Sequence, residues 1–224
     1  MDRKQFNFKM GIYRIYIILL SFDVLCIVSC NQTSTKQLPV YNPSDFDPEL
    51  VDRSLLNTSE NHTIADFKLI NQNNEEITRE NLKGNIYVAN FFFTSCPSIC
   101  PKMISNLKII EKKFINQNNI KIISHSVTPW IDTPETLKNY EKNYNINGRM
   151  WNLVTGEKKL IYDLARNSYF AEENFGIVND ENDFIHTELV FLIDKKSYIR
   201  GVYNGTLKVE MKRLVEDITL LINI

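Results

Sequence analysis

The chain lacks an excess of either charge. Its 26 basic residues stand against 27 acidic ones, for a formal net charge of −1 over 224 residues, and the lysines are scattered among the acids. That excludes the basic stripe by which a protein grips a nucleic-acid backbone. Internal repeats and low-complexity tracts are also missing, which excludes solenoids and separate compositional modules. An apolar content of 43%, with 11% aromatic residues, suffices for one sizeable core and gives little reason for two. Cysteine is scarce: there are four, and Cys26 and Cys30 fall in a leader, so the folded part carries only the thiols of Cys96 and Cys100.

A clean membrane span is missing as well. Arg3, Lys4, Lys9 and Arg14 precede the run Ile15 to Leu20, and Leu25-Cys26-Ile27-Val28-Ser29-Cys30 closes the segment, but Asp23 interrupts it. Residues 1–30 therefore read as an export signal. Ile27-Val28-Ser29-Cys30 resembles a bacterial lipobox, in which the cysteine is lipidated and becomes the new N-terminus. An uncleaved anchor of about 15 to 20 residues is the alternative, with the Asp23 charge lying in hydrocarbon. Both place the domain in the bacterial cell envelope, on the periplasmic side and held to a membrane. Residues 31–60, polar and carrying Pro39, Pro43 and Pro48, read as a tether or arm, and residues 61–224 as the domain.

The most informative stretch is Phe91-Phe92-Phe93-Thr94-Ser95-Cys96-Pro97-Ser98-Ile99-Cys100-Pro101-Lys102-Met103, where an apolar strand gives way to a helix. A spacing of four puts both sulfurs on one side of a single helical turn, close enough to share a metal or form a disulfide. Pro101 presets the first turn, whose free N–H groups and positive dipole end favour thiolates, so both sulfurs are expected to ionise easily. In an oxidising compartment such a pair closes unless a thiol reductase or a bound metal keeps it open.

The remaining pattern supplies the scaffold. Phe67 to Thr78 reads as a hairpin around a polar turn. Ile86 to Phe93 is a strand buried on both faces, Ile104, Leu107, Ile110 and Phe114 mark a helix, and Ile120 to Val127 is a second strand. Thr133-Pro134 opens a helix, and Trp151 to Val154 is a short strand followed by a helix from Thr155 through Ala165. Two strands joined at Asp194 to Ser197 and a closing amphipathic helix complete the chain. The predicted fold is α/β and thioredoxin-like: a central mixed sheet flanked by helices, with an N-terminal hairpin and tether.

Three histidines are available. His62 reads as solvated and His125, inside a strand, as a satisfied core residue. His186 precedes the strand Leu189 to Ile193, whose start faces the end of the cysteine-bearing strand in a thioredoxin plan. Two thiolates and an imidazole suit copper, as Cu(I) or Cu(II), and an incomplete shell leaves room for a partner's ligand. Structural zinc normally takes four protein ligands, and three are found. Asp132 reads as an acid at a helix start, Trp130 and Trp151 as core or surface anchors, and Met103, one turn past the thiols, as apolar packing, with an extra soft donor as the alternative.

The cysteine segment, together with Asp132-Thr133-Pro134-Glu135, Trp151-Asn152-Leu153-Val154-Thr155-Gly156 and Asp183-Phe184-Ile185-His186-Thr187, resembles the SCO/SenC family in order and spacing, over roughly residues 64–224. The resemblance implies a membrane-tethered thioredoxin-like protein that binds copper through Cys96, Cys100 and His186. It also implies a role in assembling the CuA centre of cytochrome c oxidase, by delivering copper to the copper-bearing subunit or by keeping that subunit's thiols reduced. One departure stands out: where the family often has Ser-Val-Asp-Pro, this chain has Ser126-Val127-Thr128-Pro129, and Thr128 carries no charge. No proline occurs between Asp183 and Ile193, where ordinary thiol oxidoreductases of this fold carry a cis-proline; this favours metal binding. A thiol-disulfide oxidoreductase or a copper or redox sensor using Cys96 and Cys100 remains the alternative. A purely structural disulfide would close too small a loop to restrain much of the unfolded chain.

Overall fold

The computed structural model describes residues 37–46, 61–171 and 187–223. The chain divides into the units Met1–Gln37 and Leu38–Ile224. Apart from Gln37 the first unit lies outside the described residues, and with it the expected signal segment, the alternative anchor and Cys30. Among the described residues no helix is long and apolar enough to cross a membrane.

In chain order the second unit contains β1 (Lys68–Asn71), β2 (Glu76–Thr78), the single turn α1 (Arg79–Leu82), β3 (Ile86–Phe92), α2 (Ile99–Phe114) and β4 (Ile120–Ser126). There follow α3 (Pro134–Asn143), β5 (Trp151–Thr155), α4 (Lys158–Asp163) with a π-helical continuation over Leu164–Ser168, β6 (Leu189–Ile193), β7 (Ile199–Asn204) and α5 (Lys208–Ile222). They form one mixed sheet in the order β2-β1-β5-β4-β3-β6-β7. β3 and β4 run parallel in register from Ile86 opposite Ile120 to Phe92 opposite Ser126, as a strand-helix-strand unit requires.

Strand β3 is buried at every position. Side chains alternate across a strand, so Ile86, Val88 and Phe92 enter one core with Met103 and Leu107 of α2 and Met211 and Leu214 of α5. Tyr87, Ala89 and Phe91 enter the other core, with Ile161 and Tyr162 of α4 and Tyr169. A strand covered on both faces needs the near-continuous apolar run seen in the sequence. The hairpin turn is built by Asn71, whose Oδ1 accepts the N–H groups of Asn73 and Glu75, each at 2.9 Å. Asn74 takes the left-handed conformation there, at φ 60°, which asparagine tolerates well. At α3, Thr133 Oγ1 accepts the Thr136 N–H at 3.2 Å and Pro134 occupies the first position, so this helix starts where its cap predicts.

Three expectations change. Thr155 ends β5, paired opposite Ile70 of β1, instead of opening a helix; the ladder claims it and α4 begins only at Lys158. Residues 38–46, expected within the tether, pack on the domain. Arg200 of β7 donates to the carbonyls of Pro39 at 2.7 Å and Leu38 at 2.6 Å while ion-paired to Asp194 at 2.8 Å, and Tyr41 bridges to Ile199. His62 is half-buried, not solvated: its Nε2 lies 2.9 Å from the Ser168 carbonyl and its ring packs on Phe170.

Candidate metal centre

Both thiols sit where β3 hands over to α2, at the edge of the core shared by α2 and α5. Cys96 lies in the loop before the helix, its N–H bonded to the Phe93 carbonyl at 3.3 Å, and Cys100 is the second residue of α2. Ser98, at the N-cap position, makes no side-chain cap bond. The Cys96 sulfur takes that role instead, accepting the Cys100 N–H at 3.5 Å. Both residues are free thiols, and both are buried.

Their environments separate them. Burial pushes the Cys96 thiol up, but hydrogen bonds from the Cys100 side chain and from the N–H groups of Ser98, Cys100 and Ile99 outweigh it, and the group lies below its ordinary value. Cys100 is pushed up to about 12, by burial first, then by its bond to Cys96 and the neighbouring charges of Cys96 and Asp132. The expectation that both sulfurs ionise easily is thus corrected. The helix end stabilises one thiolate, and the second proton is held on the more deeply placed sulfur by burial first, then by its bond to Cys96 and the charge of that neighbour.

His186 lies outside the described residues. The chain re-enters at Thr187, which is buried and accepts the Leu189 N–H at 3.1 Å. Strand β6 then runs antiparallel to β3, with Val190 opposite Asn90, so the start of β6 lies beside the end of the cysteine strand. Among the described residues no group of three or more His, Cys, Asp or Glu side chains could hold a metal ion. Cys96 and Cys100 offer two soft donors that fit a thiophilic ion but do not complete a shell. Met103 is not a third donor: it is fully buried and fills the space over Gly205, where a Cβ would lie 2.8 Å from its sulfur. His125 sits in the opposite core, stacked on Phe91 with ring centroids 4.9 Å apart.

Asp132 stands at the helix start that the sequence predicts, one residue before the Thr133 cap of α3, but sequence reasoning missed what its side chain binds. It is fully buried, and its carboxylate accepts the Thr94 N–H at 3.2 Å, the Thr94 hydroxyl, the Ser126 hydroxyl at 2.6 Å and the Thr128 hydroxyl at 2.9 Å. The hydroxyls of Ser126 and Thr128, six and four positions before Asp132, were the available local signal, but nothing in the sequence shows that Thr94 of the cysteine loop meets the same acid. Trp130, two residues earlier, is 57% exposed, while Trp151 is fully buried with its indole N–H on Ser124 at 2.8 Å.

A dithiol at the mouth of a strand-to-helix turn, on a mixed sheet with this order, defines a thioredoxin-like protein with a wider cysteine spacing than the ordinary two-residue gap. Residues 57–223 match the SCO1/SenC family, and the chain belongs to it. A SCO2-like protein of Rickettsia typhi is 35% identical over 156 residues, covering 67% of this chain and 73% of that protein. Among solved structures, a SCO1/SenC family lipoprotein from Bacillus anthracis has a TM-score of 0.63 at 25% identity, covering 72% of this chain and 95% of that one. BsSco, described as a Sco-family cytochrome c oxidase assembly protein with a disulfide switch, has 0.60 at 29% identity, covering 70% and 92%. Bradyrhizobium japonicum ScoI, solved with copper bound, has 0.51 at 25% identity, covering 67% and 98%.

Proposed function

We propose that this chain is a membrane-tethered copper-binding protein of the bacterial envelope that serves cytochrome c oxidase assembly. It holds copper through Cys96, Cys100 and His186 and passes it to the CuA-bearing subunit, or keeps that subunit's thiols reduced. The observation that carries the reading is the sulfur of Cys96 held by helix N–H groups beside a second thiol, a donor pair suited to a soft ion. Copper binding in Bradyrhizobium ScoI and the oxidase-assembly role ascribed to BsSco support it. On this reading Cys100 gives up its proton as the ion is taken up, and His186 closes a three-donor set that a partner's ligand can enter. Lipidation at Cys30 holds the domain to the membrane, a reading supported by the lipoprotein relative.

The test is titration of reduced protein with Cu(I) and Cu(II), with and without His186→Ala. The substitution is expected to lower affinity and alter the absorption of the Cu(II) complex; unchanged stoichiometry, affinity and spectrum reject the three-donor site. A second reading, thiol-disulfide exchange or redox sensing, is favoured by the unequal thiols, since a stabilised thiolate beside a protonated partner is what an exchanger needs. It predicts disulfide-reductase turnover that survives His186→Ala and disappears in Cys96→Ser.

A further inference from the structure

We infer that Asp132 is a positioning residue for the dithiol: its buried carboxylate fixes the loop that presents Cys96 to the end of the sheet. The inference rests on the reading of Cys96 and Cys100 as the reactive pair. Thr94, two residues before Cys96, gives Asp132 both its N–H and its hydroxyl. The same carboxylate takes the hydroxyl of Ser126, the last residue of β4, and that of Thr128 in the loop beyond. Three segments are thereby bound at one point. They are the cysteine loop, the strand beside β3, and the turn that leads into α3, whose own N–H at Asp132 bonds the Thr128 carbonyl at 2.9 Å.

The chemistry of the site requires an acid. All four groups that face the carboxylate are donors, and an ionised carboxyl is the side chain that accepts at both oxygens and donates nothing. An asparagine would turn an NH2 group toward at least one of them. Oδ2 takes the Thr94 N–H and the hydroxyls of Ser126 and Thr128 while Oδ1 takes the Thr94 hydroxyl, so an asparagine with its oxygen at Oδ2 would face that hydroxyl with its NH2, losing the charge and the side-chain bond that tethers the cysteine loop. Thr128 completes the set, so the uncharged residue in this chain's Ser126-Val127-Thr128-Pro129 segment serves as a donor to the acid four positions on.

The experiment uses the full chain with reduced thiols and two readouts. One is Cu(I) affinity by competition with a chromophoric chelator; the other, independent of metal, is the alkylation rate of Cys96 and Cys100 by iodoacetamide, resolved by peptide mass. Asp132→Asn and Thr94→Val are expected to weaken Cu(I) binding ~10- to 100-fold, as loss of a ligand-orienting partner does. They should also speed alkylation of the protected Cys100 about tenfold, the factor expected from losing one charge-assisted bond to the loop. Thr94→Ser should restore both. Thr133→Ala, which removes the cap of α3 next door but leaves the carboxylate set intact, should leave both readouts at wild-type values. If Asp132→Asn does not fold, the Thr94 pair decides. Wild-type thiol behaviour in Thr94→Val, or an equal disturbance by Thr133→Ala, overturns the inference. A wild-type protein that takes up no copper rejects the copper reading instead, and alkylation alone then judges Asp132.

Discussion

Asp132 and His125 are buried polar residues a few positions apart near the end of β4, and the fold treats them in opposite ways. The carboxylate of Asp132 is surrounded by donors from the cysteine loop and from the stretch Ser126 to Thr128. The imidazole of His125, on the other side of the sheet, has Nδ1 at 3.3 Å from the Asn90 carbonyl and no hydrogen-bond partner for Nε2. Its ring is used as an aromatic body, stacked on Phe91 and edge-on to Tyr169 and Phe67. Where a polar group holds a reactive loop its valences are matched; where it fills a core, one is left open at a cost.

The sharpest way to break this contrast is to delete the matched group. Asp132→Ala leaves the Thr94 N–H and three hydroxyls without their acceptor, and each bond to a carboxylate is worth roughly 1.5–3 kcal/mol. Urea unfolding of the reduced protein should therefore show a loss of at least about 3 kcal/mol. A loss under about 1 kcal/mol would mean the donors find water or other acceptors, and that the set is incidental.

The histidine is tested by acid. Burial pulls His125 down to about 4, against the ordinary 6.5, with the Asn90 carbonyl opposing. Unfolded chains take up the proton as the pH falls through 6.5, while the folded protein refuses it until about 4. Stability is thus complete above 6.5, drains away between 6.5 and 4, and levels off below. That interval amounts to about 3 kcal/mol. His62, also lowered by burial and opposed by its bond to Ser168, adds in the same direction. His125→Phe should flatten the profile in this window; an unchanged slope would show that carboxylates alone produce the acid lability.

The same contrast explains what could be read in advance. Strand β3, helix α2 and strand β4 were legible because burial writes itself into sequence as runs and periods. The hairpin and the start of α3 were legible because Asn71 and Thr133 act on their own near neighbours. Helix α4 was misjudged at its start because Thr155 answers to Ile70, far away in sequence. The arm over residues 38–46 was misjudged because its clamp, Arg200, lies on β7. Cys96 and Cys100 were found because their spacing is local. Their unequal acidity was not, since it depends on how deeply each is buried and on the bond between the two sulfurs. His125 was recognised as core, but its unmatched nitrogen is a property of packing that no single segment records.

The smallest effect concerns Thr128, whose hydroxyl donates to the Asp132 carboxylate from four positions before it. Thr128→Val keeps the shape and removes one of the hydroxyls that Asp132 accepts, leaving Ser126 and Thr94 in place. The expected loss is about 1 kcal/mol, the lower end for a bond to a charged group because the carboxylate retains other donors and is not left bare. The same variant should leave Cys100 alkylation near wild type, since the Thr94 contacts that hold the cysteine loop survive. Chemical denaturation and alkylation measured on one preparation separate the two effects. A thiol response as large as that of Thr94→Val would mean the donors act as one cooperative unit, and the loop would then be held by the whole set and not by Thr94 alone.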